Sequence, residues 1–194
     1  MKEVVFGAVV ASLLLSNALL VFSIVRPDLR FWPPPDRSSA RHKFAHFTTR
    51  LGPLTVVGVL VVGLLDWDSG VLSHPGRFPI GGVLFACGSG FALWGYLGLG
   101  VRASQGRHEG LVARGAYGYS RNPQYVGTIV GFLGYAIACN SEFAFVAWLL
   151  WSAWFIMAPF AEEPWMREQI GAAYDEYAAT VPRFVGWRRA RSKA

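Results

Sequence analysis

The hydrophobic residues of this chain fall into long uncharged runs that short polar segments separate. Five runs stand out, at residues 4–25, 51–65, 79–101, 125–138 and 143–161. A helix of about 20 apolar residues crosses the hydrocarbon core of a bilayer. Because backbone groups in lipid must be hydrogen-bonded internally, each run is predicted to be a helix. The pattern therefore predicts an all-α integral membrane protein with about five transmembrane helices.

The polar segments predict how these helices connect. Residues 26–39 are rich in proline and charge, so they cannot continue one helix into the next. Residues 139–142 join the fourth and fifth runs so tightly that these two helices are predicted to form an antiparallel C-terminal hairpin.

A further amphipathic helix is predicted on the cytoplasmic side, within residues 162–184. Its apolar residues recur at helical spacing: Met166, Ile170, Tyr174, Tyr177 and Val181. Pro164 stands near its start and Pro182 at its end. The helix is expected to lie along the interface or to cap the bundle. The chain is thus divided into three membrane helices in residues 1–101 and a core in residues 102–194.

Composition supports a membrane protein and excludes other classes. The chain is 53% hydrophobic and only 15% charged, against roughly 25% charged in soluble domains. The first run is too long for a signal peptide and lacks a small-x-small cleavage site, so it is predicted to stay as the first span. Cys87 and Cys139 lie in or beside apolar runs, which indicates packing without a disulfide framework or metal-ligand spacing.

Basic residues concentrate in the segments on one side of the predicted bundle. These segments are residues 26–50, 102–121 and 167–193, whereas the opposite side has only Lys2 and Arg77. The positive-inside rule then places the N-terminus outside and the C-terminus in the cytoplasm. A compact chain without a transit signal favours a bacterial-type inner membrane. The net charge of +6 is explained by this topology and by contact with anionic membrane lipids, so no nucleic-acid partner is expected.

Polar residues at the mouth of the fourth run are the first candidates for chemistry. The stretch "YSRNPQYVG" carries Arg121 and Asn122, and the hairpin brings them to the same membrane face as Glu162 and Glu163. A charged residue at membrane depth costs about 2.5–3.5 kcal/mol, which a cationic or hydroxyl-rich ligand would offset. Pro123 is predicted to begin the helix and Asn122 to cap it.

Glycines near this stretch are predicted to let the backbone bend and approach a ligand closely. They are Gly110, Gly115, Gly118 and Gly127. Each polar residue also has a simpler explanation when it is taken alone. Arg121 would mark a helix end at the headgroups, Glu162 and Glu163 would end the fifth span, and His108 would be a solvated loop residue.

The motifs of the C-terminal half together resemble a known enzyme family. "HEGLVARGAYGYSRNPQY" is followed by the hairpin and then by "EEPWMREQIGAAYDEY" and "VPRF". Over residues 102–185 this pattern resembles the isoprenylcysteine carboxyl methyltransferase family and the related phospholipid N-methyltransferases. The resemblance implies S-adenosylmethionine as the methyl donor, bound at the cytoplasmic end of the last hairpin.

The resemblance also implies which residues form the site. The implied cofactor contacts are His108, Leu111, Val112, Tyr117, Asn122, Pro123, Tyr125 and Glu162. Arg121 and Glu163 lie beside them as candidate catalytic residues, with Glu163 and His108 as candidate bases if a proton must leave the acceptor. No metal is implied.

Two departures bear on the site. Asn122 stands where the family often has His, and it keeps a donor and an acceptor. Ala158 stands where carboxyl methyltransferases have an Arg implicated with substrate, so prenylcysteine is not the expected acceptor.

The sequence thus predicts an S-adenosylmethionine-dependent methyltransferase that acts on a lipophilic or small acceptor at the cytoplasmic membrane face. Two alternatives remain open. Membrane sterol and steroid reductases, which use NADPH, resemble the chain near "RNPQY" and at the C-terminal tyrosines. A non-enzymatic membrane scaffold or transporter subunit would explain the hydrophobic runs alone.

Overall fold

The fold is helical throughout the residues that the computed structural model describes, which are 1–35, 40–100 and 110–186. No strand occurs among these residues, so the predicted all-α class is confirmed. The α-helices are α1 (Lys2–Val25), α2 (Ala40–Leu65), α3 (Arg77–Leu99), α4 (Pro123–Cys139), α5 (Glu142–Ile170) and α6 (Ala172–Thr180). Residues 26–35 form only a short 3-10 turn, Pro27–Leu29, as the proline-rich sequence predicts.

Three of the described helices, α1, α3 and α5, are long and apolar enough to cross a membrane. The predicted count of five spans is not confirmed. Gly52–Leu65 within α2 and the whole of α4 are shorter apolar helices. The 17 residues of α4 rise only about 26 Å, which is less than the roughly 30 Å of a hydrocarbon core.

The predicted boundary between the fifth span and the amphipathic helix is wrong. α5 runs without interruption from Glu142 to Ile170, through Pro159 and Pro164. A proline inside a helix removes one backbone donor and bends the helix, but it need not end it. The break comes at Gly171, whose φ of +70° leaves the helical region. The short α6 follows and ends at Thr180.

The predicted hairpin of α4 and α5 is confirmed, and Asn140 forms its turn. Asn140 is fully buried and adopts a left-handed conformation with φ +48°. Its side-chain amide donates to Asp68 Oδ1 at 2.9 Å and to the Gly70 carbonyl at 3.0 Å. Ser141 then caps α5 by accepting a hydrogen bond from the Ala144 amide at 3.0 Å.

Glycines let α3 and α4 pack backbone against backbone. A Cβ atom at Gly88 would lie 2.3 Å from the Gly131 nitrogen, and one at Gly127 would lie 2.3 Å from the Ala92 nitrogen. Small residues allow this close approach in membrane helix pairs. The expectation that Gly127 lets the backbone approach a ligand is therefore wrong, because the backbone that Gly127 approaches is that of α3.

A polar cluster around Asp66 joins the helix ends that lie away from residues 110–123. Asp66 is 3% exposed and accepts hydrogen bonds from Lys2 Nζ at 2.9 Å, Ser69 Oγ at 2.7 Å and Ser141 Oγ at 2.9 Å. Burial disfavours its charged form, but these bonds and one from the Phe143 amide outweigh that cost and lower the pKa of Asp66 to about 2. The cluster ties α1, α2 and the hairpin together.

Candidate cofactor site

A cleft opens at the other end of the bundle, where the C-terminal part of α5 meets the N-terminus of α4. Residues 32–33, 110–112 and α6 complete its walls. The space between the walls is about 870 Å³ when the part open to solvent is included. The hairpin thus brings Asn122 and Glu162, far apart in sequence, to one cleft.

Glu162 is held in the cleft by two aromatic donors. The Trp32 indole Nε1 donates to Glu162 Oε1 at 2.5 Å, and the Tyr125 hydroxyl donates to the same oxygen. Both hydrogen bonds that the described residues give to this carboxylate fall on Oε1, and Glu162 lines the cleft. Glu162 is therefore a fixed acceptor for an amino or hydroxyl group.

Trp32 reaches Glu162 because Ser23 anchors its backbone. The Ser23 hydroxyl, 1% exposed, accepts hydrogen bonds from the Phe31 amide at 2.9 Å and the Trp32 amide at 3.2 Å. The Trp32 ring also packs at an angle against Trp154, with centroids 5.6 Å apart. The connector between α1 and α2 therefore contributes a wall of the cleft.

Tyr117 forms another wall and is fixed at both ends. Its hydroxyl accepts a hydrogen bond from Gln124 Nε2 at 3.0 Å, and its carbonyl accepts one from the Tyr177 hydroxyl at 2.8 Å. Burial raises the pKa of Tyr117 to about 12, with the Glu162 carboxylate adding to the rise and the Gln124 hydrogen bond opposing it. The ring therefore stays neutral at physiological pH.

Asn122 occupies the N-cap position of α4, but its side chain does not cap the helix. Its amide Nδ2 donates instead to the carbonyl of Arg183 at 2.9 Å. Pro123 is the first residue of α4, as predicted. It is fully buried, and a Cβ atom at Gly95 would lie 3.0 Å from its ring, so Pro123 packs against α3.

Glu163 lines the cleft and lies in a cluster of guanidinium groups. It is 3% exposed. Oε1 accepts a hydrogen bond from Arg183 Nε at 2.8 Å, and Oε2 accepts one from Arg183 Nη2 at 2.7 Å. Arg121 forms an ion pair with the same carboxylate, with its Nη2 3.0 Å from Oε1. Arg121 also donates to the Ala178 carbonyl at 2.9 Å. Both residues thus have structural partners, and the catalytic roles predicted for them stay predictions.

The structure gathers most of the predicted site residues around this one cleft. Those that line it are Leu111, Val112, Tyr117, Arg121, Asn122, Tyr125, Glu162 and Glu163. Pro123 lies behind it, and His108 falls outside the described residues. Gly110 also lines the cleft and has φ +94°, which agrees with the predicted backbone freedom there.

Several lining residues were missed by the sequence analysis. They are Trp32, Gln124, Trp165, Tyr174 and Tyr177. The two tyrosines belong to the "GAAYDEY" pattern, which gave them helical spacing but no role. Trp32 precedes three consecutive prolines in a charged connector. A large aromatic residue in such a polar segment was the one feature of the sequence that could have indicated a role for Trp32 in the site.

This fold and site define a helical membrane protein with a polar, aromatic-walled cleft at one end of a helical hairpin. The profile of the phospholipid methyltransferase family matches residues 77–173, and the chain belongs to that family. The predicted resemblance is thereby confirmed. The match begins at the start of α3, ahead of the predicted boundary at residue 102, and the division of the chain into two parts stays a prediction. No curated protein and no solved structure matches the chain.

Proposed function

We propose that this membrane protein transfers a methyl group from S-adenosylmethionine to a lipophilic or small acceptor at the cytoplasmic membrane face. The observation that carries the proposal is Glu162, which lines an aromatic-walled cleft and whose Oε1 is held by Trp32 and Tyr125. The family supports methyl transfer. The carboxylate, the aromatic rings and the side-chain amide of the cleft support this particular cofactor.

The residues present fit the chemical groups of the cofactor. A carboxylate pairs with its amino group or accepts from its ribose hydroxyls, and the faces of neutral aromatic rings attract a sulfonium cation. The Glu162 carboxylate and the rings of Tyr117 and Tyr125 supply these partners. Asn122, at the start of α4, adds a side-chain amide to the edge of the cleft that faces Glu162.

When bound, S-adenosylmethionine supplies an electrophilic methyl group whose sulfur loses its positive charge during transfer. A carboxylate against that sulfur would stabilise the ground state more than the transition state. Glu162 is therefore assigned to anchoring and the aromatic rings to the sulfonium. The protein contributes alignment of the two reactants and removal of water from between them.

Glu163 holds the cleft together in this proposal, and it does not remove a proton. Both of its oxygens accept charge-assisted hydrogen bonds from the Arg183 guanidinium, and such bonds favour the ionised carboxylate. Protonation of Glu163 would remove the negative charge that these bonds stabilise.

The acceptor is proposed to enter from the lipid and to lack a carboxylate as its main anchor. Ala158, where the related carboxyl methyltransferases have an Arg, is fully buried against Leu20 of α1 and packs near Trp32. Its methyl group offers no partner to an anion. This geometry supports the exclusion of prenylcysteine.

The proposed topology is multi-pass, with the cleft in the cytoplasm and the N-terminus outside. Arg121, Arg167 and Arg183 all surround Glu163 at the cleft end, whereas Lys2 belongs to the Asp66 cluster at the other end. The positive-inside rule favours this orientation. Reporter enzymes fused to the two ends of the chain would test it, since only the C-terminal fusion should be active in the cytoplasm.

The deciding experiment incubates the purified full-length chain with methyl-labelled S-adenosylmethionine and a membrane lipid extract. We expect label to appear in an extractable product and the Glu162→Gln variant to abolish it. NADPH binding in the absence of S-adenosylmethionine binding would overturn the proposal and favour a reductase. Binding of neither cofactor would favour a scaffold.

A further inference from the structure

Residues 181–186, the last that the structure describes, leave the helical conformation and cross the cleft end of the bundle. We call this segment the strap. It begins at Val181, which has an extended conformation and is 2% exposed. Its backbone binds the α4 lip of the cleft, which is the edge formed by Arg121 and Asn122. Arg121 donates its amide to the Pro182 carbonyl at 2.9 Å, and Asn122 Nδ2 donates to the Arg183 carbonyl at 2.9 Å.

The side chain of Arg183 binds the α5 lip of the cleft, which is the edge formed by Glu162 and Glu163. Its guanidinium forms two parallel bonds with Glu163, from Nε to Oε1 at 2.8 Å and from Nη2 to Oε2 at 2.7 Å. It also lies over the Phe160 ring, 4.4 Å from the centroid. A bidentate pair with a buried carboxylate fixes both groups in orientation as well as in distance.

Arg183 therefore holds both lips of the cleft although it does not line the cleft itself. Through Glu163 it fixes the turn of α5 that carries Glu162, and through its carbonyl it fixes the Asn122 amide. We propose that Arg183 is a positioning residue for cofactor binding, which sets the separation of Glu162 and Asn122. This inference rests on the proposed function.

Arg167 provides a matched control on the same carboxylate. Its Nη2 lies 4.0 Å from Glu163 Oε2, and its side chain is 45% exposed. Its closer partner is Asp175, at 2.9 Å, so its contacts stay within α5 and α6. A loss of charge at Arg167 should leave the α4 lip in place.

The test measures the dissociation constant of S-adenosylhomocysteine, as a non-reacting probe, for the full-length chain in lipid nanodiscs. The variants are Arg183→Gln, Arg183→Lys and Arg167→Gln, with the thermal unfolding midpoint recorded for each without ligand. We expect Arg183→Gln to weaken binding at least tenfold. Arg183→Lys should recover part of the loss, because it keeps the charge but not the bidentate geometry. Arg167→Gln should bind within twofold of the wild type.

The outcomes separate this inference from the proposed function. If the wild type does not bind the probe, the proposed function itself fails. If it binds and Arg183→Gln binds equally well, only the inference fails, whatever the change in the unfolding midpoint. Equal losses in Arg183→Gln and Arg167→Gln would also overturn it, because charge around Glu163 would then be the cause. If Arg183→Gln does not fold, the dissociation constants of Arg183→Lys and Arg167→Lys are compared instead. Arg183→Lys should then bind the probe at least threefold more weakly than Arg167→Lys, and a smaller difference would overturn the inference.

Discussion

The indole nitrogen of Trp32 lies 2.5 Å from Oε1 of Glu162, although 130 residues separate the two in sequence. This hydrogen bond joins the connector after α1 to the C-terminal part of α5. It makes the proposed cofactor site depend on the first helix as well as on the family-matched residues 77–173.

Removing the Trp32 donor while keeping an aromatic ring should weaken cofactor binding. A hydrogen bond to a charged group contributes about 1.5–3 kcal/mol, and the remaining bond from Tyr125 should retain part of the orientation of Glu162. We therefore expect Trp32→Phe to raise the dissociation constant of S-adenosylmethionine about tenfold in a calorimetric titration. Trp154→Phe is the control, since the Trp154 ring packs on Trp32. Equal effects of the two substitutions would contradict a role for the hydrogen bond.

Replacing Glu162 by Gln should remove the anchor for the cofactor without changing the size of the side chain. The charge is lost, and an amide cannot accept from Trp32, Tyr125 and a ligand as strongly as a carboxylate does. We expect a loss of binding of at least 30-fold, equivalent to about 2 kcal/mol. Glu142→Gln at the exposed opposite end of the same helix should bind normally. Retained binding in Glu162→Gln would remove the main support for the proposed site.

Gly88 on α3 should not tolerate a methyl group. A Cβ atom there would lie 2.3 Å from the Gly131 nitrogen, whereas one at Gly90 would meet nothing within 4 Å. Gly88→Ala is expected to destabilise the fold by about 1–3 kcal/mol or more through overpacking. Gly90→Ala should be neutral or slightly stabilising, because Ala favours helix by about 1 kcal/mol over Gly. Thermal unfolding in detergent measures both, and similar midpoints for the two variants would show that α3 and α4 do not pack this closely.

Asp66 should make stability depend on pH only under acid conditions. Its pKa falls from 3.8 in the unfolded reference to about 2 in the fold, so the folded state favours the ionised form by roughly 2 kcal/mol. That contribution is fully present above about pH 5 and is lost as the pH falls through about 2. The free energy of unfolding of the wild type should therefore converge on that of Asp66→Asn between about pH 4 and pH 2. A constant difference down to pH 2 would show that Asp66 does not make these bonds.

The helical class and the hairpin were accessible from the sequence because each rests on local information. Long uncharged runs need internal hydrogen bonds, and the short segment 139–142 leaves only an antiparallel path. The same path brought Asn122 and Glu162 to one end of the bundle. The number of full spans could not be predicted from the sequence. α4 is shorter than a bilayer core, and an apolar run alone does not show whether so short a helix crosses the whole core. Nor could the true end of α5 be predicted, since Pro164 and the two carboxylates before it suggested a break that Gly171 makes instead.

The features of the site can also be divided into those that the sequence predicted and those that only the structure revealed. The sequence by itself determined that the carboxylates, Asn122 and the tyrosines lie at one end of the helical bundle, because helix direction and connection length fix which ends meet. Only the tertiary structure decided that Trp32 orients Glu162, that Gly127 serves packing against α3, and that Arg183 links the two lips of the cleft. These are contacts between side chains far apart in sequence, and they depend on how helices pack and not on any local pattern.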